Sequence, residues 1–184
     1  MIGNYFNSAT AGNNSEIGLK FDKVNEKYGK KQIIDFLKDM GVFINDIELN
    51  SSKRLFVRDD RFERRVSLNT YGNGILHSFN IFLSALSAED GIALIDEIEN
   101  GLYRTKQQVL WRAINKIASE KGQQIFATTH SLEMLKNLYK VAKEGNFIDK
   151  INLFRVERRD ETIAVVSYNS EELDYVLSGN IEVR

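Results

Sequence analysis

The chain has 184 residues, with 25 Lys and Arg against 26 Asp and Glu and a formal net charge of −1. That length makes one domain the default and allows a real core, while the near-zero charge excludes the global basic field that advertises nucleic acid. The absence of cysteine excludes a disulfide scaffold and any thiolate metal site and fits a cytosolic setting, and no apolar run is long enough to span a bilayer.

Met1 to Asn14 is polar and rich in Asn and Gly, without the charged-then-apolar form of a signal peptide. Through about Asn25 the chain reads as a loop or a segment that orders on docking, in which Ile17, Leu19 and Phe21 alternate as a short strand. Ile33, Ile34, Leu37 and Met40 share one face of a helix predicted from Lys30 to Met40, and Gly41 stops it. Val42 to Leu49 alternates as a strand that can pair with Leu55-Phe56-Val57. After Gly72 and Gly74, Ile75 to Leu86 forms a helix too apolar for an exposed surface.

Ile92-Ala93-Leu94-Ile95 then runs straight into Asp96-Glu97, as a buried parallel strand whose C-terminal tip presents acids. A helix follows from about Arg104 to Ser119, with Val109, Leu110, Ala113, Ile114 and Ile117 inward and Trp111 packed. Gln124 to Thr128 reads as a second buried strand, ending at Thr129-His130, and Ser131 caps the next helix. Ile151 to Val156 and Thr162 to Ser167 form a hairpin around Arg159-Asp160-Glu161, and a short helix spans Ser170 to Leu177. The order predicts an α/β fold with a partly parallel sheet flanked by helices and a C-terminal β-hairpin. The motifs lie in residues 67–184; residues 1–66 read as a linker with a helical and strand part.

Three groups carry candidate chemistry. Open α/β sheets place ligands at the carboxyl ends of their strands, so Asp96 is a candidate for Mg²⁺, a hard cation that wants oxygen ligands, and Glu97 for polarising water. Glu99 can join them or be solvated. His130, past the next strand, can donate to a phosphate oxygen. The turn Tyr71-Gly72-Asn73-Gly74 feeds a helix whose free amides and dipole suit phosphate, with Ser67 and Asn69 as further donors. Taken singly, each has an ordinary counterpart: a solvated acidic pair, a core histidine, a plain loop.

In this order, Ala93-Leu94-Ile95-Asp96-Glu97-Ile98-Glu99-Asn100-Gly101-Leu102 and Ala127-Thr128-Thr129-His130-Ser131 resemble the C-terminal half of an ABC-class ATPase. The resemblance is to the bacterial kind related to overcoming-lysogenisation-defect (OLD) proteins and SMC-like repair ATPases, and it covers Ser67 onward. It implies a P-loop NTPase fold, with ATP and Mg²⁺ as cofactors. Asp96 and Glu97 resemble the Walker B pair, and His130 the switch histidine. Asn100-Gly101-Leu102-Tyr103 resembles the D-loop. Tyr71 to Gly74 sits where the signature motif contacts the nucleotide held by a partner subunit. The ending Ile181-Glu182-Val183-Arg184 resembles the family's C-terminal edge.

Two departures stand out. The Gly-x-x-x-x-Gly-Lys-Ser/Thr phosphate loop is absent: Gly29-Lys30 is followed by Lys31, and Gly3 and Gly12 supply none. The signature has no Ser-Gly-Gly-Gln. The chain therefore reads as the C-terminal portion of a longer ATPase, a homodimer or the partner of a missing N-terminal half, with a role in DNA-related or phage-defence processes beside a nuclease or nucleic-acid partner. The alternative is an inactive dimerisation module that keeps the fold. A metal nuclease on Asp96, Glu97 and Glu99 is disfavoured because two-metal chemistry draws carboxylates from several elements. The basic stretch Lys53, Arg54, Arg58, Arg61, Arg64, Arg65 is interleaved with acids and reads as paired or solvated charge.

Overall fold

The computed structural model describes residues 4–6, 14–88, 91–159 and 161–178, which group into two units, Met1–Thr128 and Thr129–Arg184. The first runs β1 (Asn4–Phe6), α1 (Asn14–Tyr28), α2 (Lys31–Asp39), β2 (Asp46–Leu49), β3 (Leu55–Arg58), β4 (Val66–Ser67), α3 (Asn73–Ser87), β5 (Ile92–Ile95), α4 (Arg104–Lys121) and β6 (Gln124–Ala127). The second runs α5 (Leu132–Glu144), β7 (Leu153–Arg159), β8 (Thr162–Tyr168) and α6 (Ser170–Ser178).

The alternation expected of a strand at Ile17 to Phe21 is a helix face. Ile17, Phe21 and Val24 are buried and Leu19 is 56% exposed. The spacing of 17, 21 and 24 is helical; the period of two was coincidental. The loop expected before it contains β1. In α2, Ile33, Phe36 and Leu37 are buried, and Gly41 takes a positive φ of 85° just past the helix, as a helix stop requires. Of the strand expected from Val42, only Asp46 onward pairs; Val42 and Ile44 are buried within a loop.

Helix α3 organises the first unit. Eleven consecutive residues from Leu76 to Leu86 are buried, so it is a core helix and not an amphipathic one. Phe82 stacks on Phe36 of α2, with ring centroids 4.1 Å apart. Two of its buried polar groups are tied down: Asn80 Oδ1 accepts from Lys20 Nζ at 3.0 Å and Ser78 Oγ donates to the Gly74 carbonyl at 2.8 Å.

The main sheet has the order β1-β5-β6, all parallel, and β2-β3-β4 form a separate antiparallel sheet. β5 is thus the central strand, with Ala93 and Ile95 buried, as its apolar run predicted. β6 differs from the expectation of a buried strand: Gln124, Phe126 and Ala127 are exposed, Phe126 at 54%. An apolar run identifies a strand but not its place, and among the described residues β6, like β1, is an edge strand of this sheet.

In the second unit the hairpin pairs from Leu153 with Tyr168 to Arg159 with Thr162; Asp160 of the expected turn lies outside the described residues. Leu153 and Tyr168 pack with Leu132 and Leu135 of α5 and Leu173 and Leu177 of α6. Ser131 caps α5 by accepting from Met134 N at 3.2 Å. Asn169 and Glu172 cap α6 reciprocally: Asn169 Oδ1 accepts from Glu172 N and Glu172 Oε2 from Asn169 N. The expected edge at Ile181 to Arg184 lies outside the described residues. Among the described residues, no helix is long and apolar enough to cross a membrane.

Candidate functional site

The tip of β5 is built by its pairing with β6. Ile95 pairs with Ala127, and one position on, Thr128 N donates to the Ile95 carbonyl at 2.9 Å. A regular parallel ladder would next bond Glu97 N to the Thr128 carbonyl. That carbonyl instead accepts from Ile98 N at 3.1 Å, so one extra residue is inserted, as in a β-bulge. The inserted residue is Glu97, with φ of 49°, in the left-handed region that costs a non-glycine residue about 1–2 kcal/mol. Its amide donates to Thr128 Oγ1 at 2.9 Å, and the same hydroxyl donates to Asp96 Oδ1 at 2.5 Å.

Two overlapping turns follow, Asn100 N to the Glu97 carbonyl and Leu102 N to the Glu99 carbonyl, both at 2.9 Å. They bring Gly101, at φ 66°, against the start of α3. The backbones of Gly101 and Gly74 pack so closely that a Cβ on Gly74 would overlap the Gly101 carbonyl oxygen. The structure therefore brings Asp96, Glu97, Asn100, Gly101 and the Gly72–Gly74 turn into one backbone-linked group. Gly72, at φ 94° and ψ 161°, directly precedes the first turn of the 15-residue α3.

Two buried side chains hold this group. His77, on the second turn of α3, engages the backbone at Ile98 and Glu97. Burial lowers its pKa from 6.5, and those hydrogen bonds oppose the shift. Asp59, in the stretch read in sequence as paired or solvated charge, is buried. It accepts from Arg61 N and Nε at 2.9 Å, from an Arg61 terminal nitrogen at 2.6 Å and from the Tyr71 hydroxyl at 2.5 Å. Arg61 in turn lies over the Phe43 ring, 4.6 Å from its centroid. Tyr71, first residue of the candidate turn, is thereby anchored to the β3–β4 connection.

The Asp59 carboxyl is held well below the usual range, chiefly by Arg61, with Tyr71 assisting. Burial, and then the bond to Asp59, push Tyr71 up to about 12. A group whose folded pKa is raised contributes stability below its unfolded value, here 10.0, and loses it as pH rises through about 12. An ultraviolet phenolate titration is expected to show one step near pH 12 that disappears in Tyr71→Phe. Loss of no late step on that substitution would place the Tyr71 hydroxyl elsewhere.

His130 belongs to the second unit, exposed and directly ahead of the Ser131 cap. Trp111 is buried on α4. Of the basic stretch, Lys53 pairs with Asp22, Arg61 with Asp59 and Arg65 with Glu48, which matches the paired-charge reading. A groove of about 430 Å³ is lined by Lys38, Phe43, Asn45, Asp59 and Arg61 and includes none of Asp96, Glu97, Glu99 or the Gly72–Gly74 turn. Among the described residues no three His, Cys, Asp or Glu gather as a metal-holding group. Mg²⁺ makes no such demand, since it commonly takes one or two carboxylates and completes its shell with phosphate and water.

Residues 3–135 match the AAA ATPase domain family. The chain belongs to this family. The AAA ATPase domain here is 30% identical over 145 residues to a Helicobacter pylori protein described as an ATP/GTP phosphatase; the alignment takes in 75% of the chain and 39% of the relative. The chain thus spans about two-fifths of that relative's length. It is also similar to two solved structures. One comes from work on ATP-driven dimerization and DNA-stimulated activation of SMC ATPases (TM-score 0.51, 14% identity, 77% of this chain and 85% of that one). The other is an SMC head bound to the C-winged helix domain of ScpA (TM-score 0.57, 15% identity, 92% and 56%). At these identities the shared property is the fold, a P-loop NTPase α/β fold, as the motif order implied.

Proposed function

We propose that this chain is the C-terminal portion of an ATP-hydrolysing ABC-class ATPase of the OLD-like and SMC-like kind, working at a subunit interface. The observation that carries the reading is the group at the tip of β5. Asp96 and Glu97 stand at the end of the central parallel strand, and Gly101 links them to the glycine turn at the head of α3. Their donor set fits the cofactor: Asp96 would hold Mg²⁺ and the amides of Asn73 and Gly74 would receive a phosphate of the opposing subunit's nucleotide, the Gly72 amide being taken by the Asn69 carbonyl. Bound Mg²⁺ supplies the charge that offsets the phosphate oxygens. Glu97 orients and polarises the attacking water, His130 donates to the terminal phosphate, and Asn100 and Gly101 shape the interface. Such sites act by positioning and charge stabilisation.

The phosphate loop is the missing part. Among the described residues no strand pairs with the outer edge of β6, and Phe126 is exposed; we assign that edge to the segment carrying the loop. A DNA-related or phage-defence role in the cytoplasm, as a homodimer or beside a nuclease or nucleic-acid partner, is the setting that fits such an ATPase.

The test begins with the DNA upstream of the Met1 codon, where an in-frame Gly-x-x-x-x-Gly-Lys-Ser/Thr is expected. The purified chain should bind Mg-ATP only weakly, and the protein completed by that segment should hydrolyse it, with turnover abolished in Asp96→Asn. A completed protein that binds but never hydrolyses ATP would favour the inactive dimerisation module. Tight Mg-ATP binding by the 184 residues alone would overturn the assignment of the missing loop.

A further inference from the structure

We propose that Thr128 is the positioning residue of this site: its single hydroxyl fixes the Asp96 carboxylate and holds Glu97 in the bulge at the same time. The inference rests on the ATPase reading above and adds a residue to it.

The insertion of Glu97 leaves one backbone amide without its ladder acceptor, because the Thr128 carbonyl is taken by Ile98 N. The side chain of the same threonine supplies the substitute acceptor at 2.9 Å. A hydroxyl has one proton to donate, and here it goes to Asp96 Oδ1 at 2.5 Å. One oxygen atom therefore sets the backbone conformation of Glu97 and the rotation of the Asp96 carboxylate about its Cβ–Cγ bond, with Oδ2 left to face a ligand. In a regular strand two consecutive side chains point to opposite faces. The bulge is what allows two neighbouring acids to serve one site, and the hydroxyl is the group that satisfies it. Valine matches threonine in shape and lacks the hydroxyl; serine keeps the hydroxyl and loses the methyl. Thr128 is exposed, so its replacement leaves the core untouched.

The experiment compares Thr128→Val and Thr128→Ser in the protein completed by its phosphate-loop segment, with Asp96→Asn and Glu97→Gln alongside. Steady-state ATP turnover is measured as a function of Mg²⁺, and amide hydrogen exchange is followed at Glu97. Partners that orient a metal ligand typically contribute 10–100-fold to metal affinity or activity. Thr128→Val should therefore raise the Mg²⁺ half-saturation at least about tenfold, lower kcat and speed exchange at Glu97, with the thermal midpoint nearly unchanged. Thr128→Ser should restore all three. Unchanged Mg²⁺ dependence in Thr128→Val, while Asp96→Asn and Glu97→Gln are inactive, overturns the role of Thr128 and leaves the ATPase reading standing. Full activity in Asp96→Asn and Glu97→Gln overturns that reading and the role of Thr128 with it.

Discussion

Gly74→Ala is expected to destabilise the chain by about 1–3 kcal/mol, the usual cost of forcing extra volume into a packed site. The sign is what makes the prediction informative. Gly74 sits in the first turn of α3 and carries no positive φ. At an open helical position the same change stabilises by roughly 0.5–1 kcal/mol, because alanine loses less backbone entropy on folding. Here the new Cβ meets the carbonyl oxygen of Gly101, and backbone meeting backbone cannot yield by turning a side chain. Gly101 would have to move, and with it the turns that begin at Glu97. Urea unfolding should show a lower midpoint at an unchanged slope, and the completed ATPase should lose turnover beyond what its stability explains. A midpoint equal to or above that of the parent would mean that the two turns do not touch.

Much of the fold was legible in the sequence because it is locally encoded. The apolar density of Ile75 to Leu86 identified a core helix, the run Ile92 to Ile95 a parallel strand, and Ser131 a cap. What escaped depends on partners distant in the chain. The exposure of β6 follows from its position in the sheet, which the letters Gln124-Ile125-Phe126-Ala127 do not contain. Asp59 lies among charged residues and reads as paired or solvated; its pairing with Arg61 agrees, but its burial and its contact with the hydroxyl of Tyr71, twelve residues later, are not written in the stretch itself. The glycine turn and the Asn100–Gly101 turn were each readable, but their contact was not, since only packing brings them together. Thr128 is the clearest case. A threonine after a strand is ordinary, and its importance appears only when the β5–β6 register leaves the Glu97 amide without a carbonyl. A polar residue opposite the acidic end of a neighbouring parallel strand is the signal that would have found it.

Glu97→Gln in the completed protein is expected to leave ATP binding intact and reduce kcat by about 10²–10⁴-fold, the contribution of a positioned general base. Glutamine keeps the length and shape of the side chain and removes the carboxylate that polarises water. The nucleotide should therefore be trapped, and a longer-lived dimer should be detectable by size. The conformation of Glu97 adds a second arm. At φ 49° a glycine is relaxed where any side chain is strained, by about 1–2 kcal/mol, so Glu97→Gly should gain stability toward that amount, less the flexibility it gives the unfolded chain. The same variant should be as inactive as Glu97→Gln. A substitution that makes the protein more stable and inactive at once marks strain held in place for function. Parental turnover in either variant would remove Glu97 from the chemistry and leave its unusual backbone without a purpose.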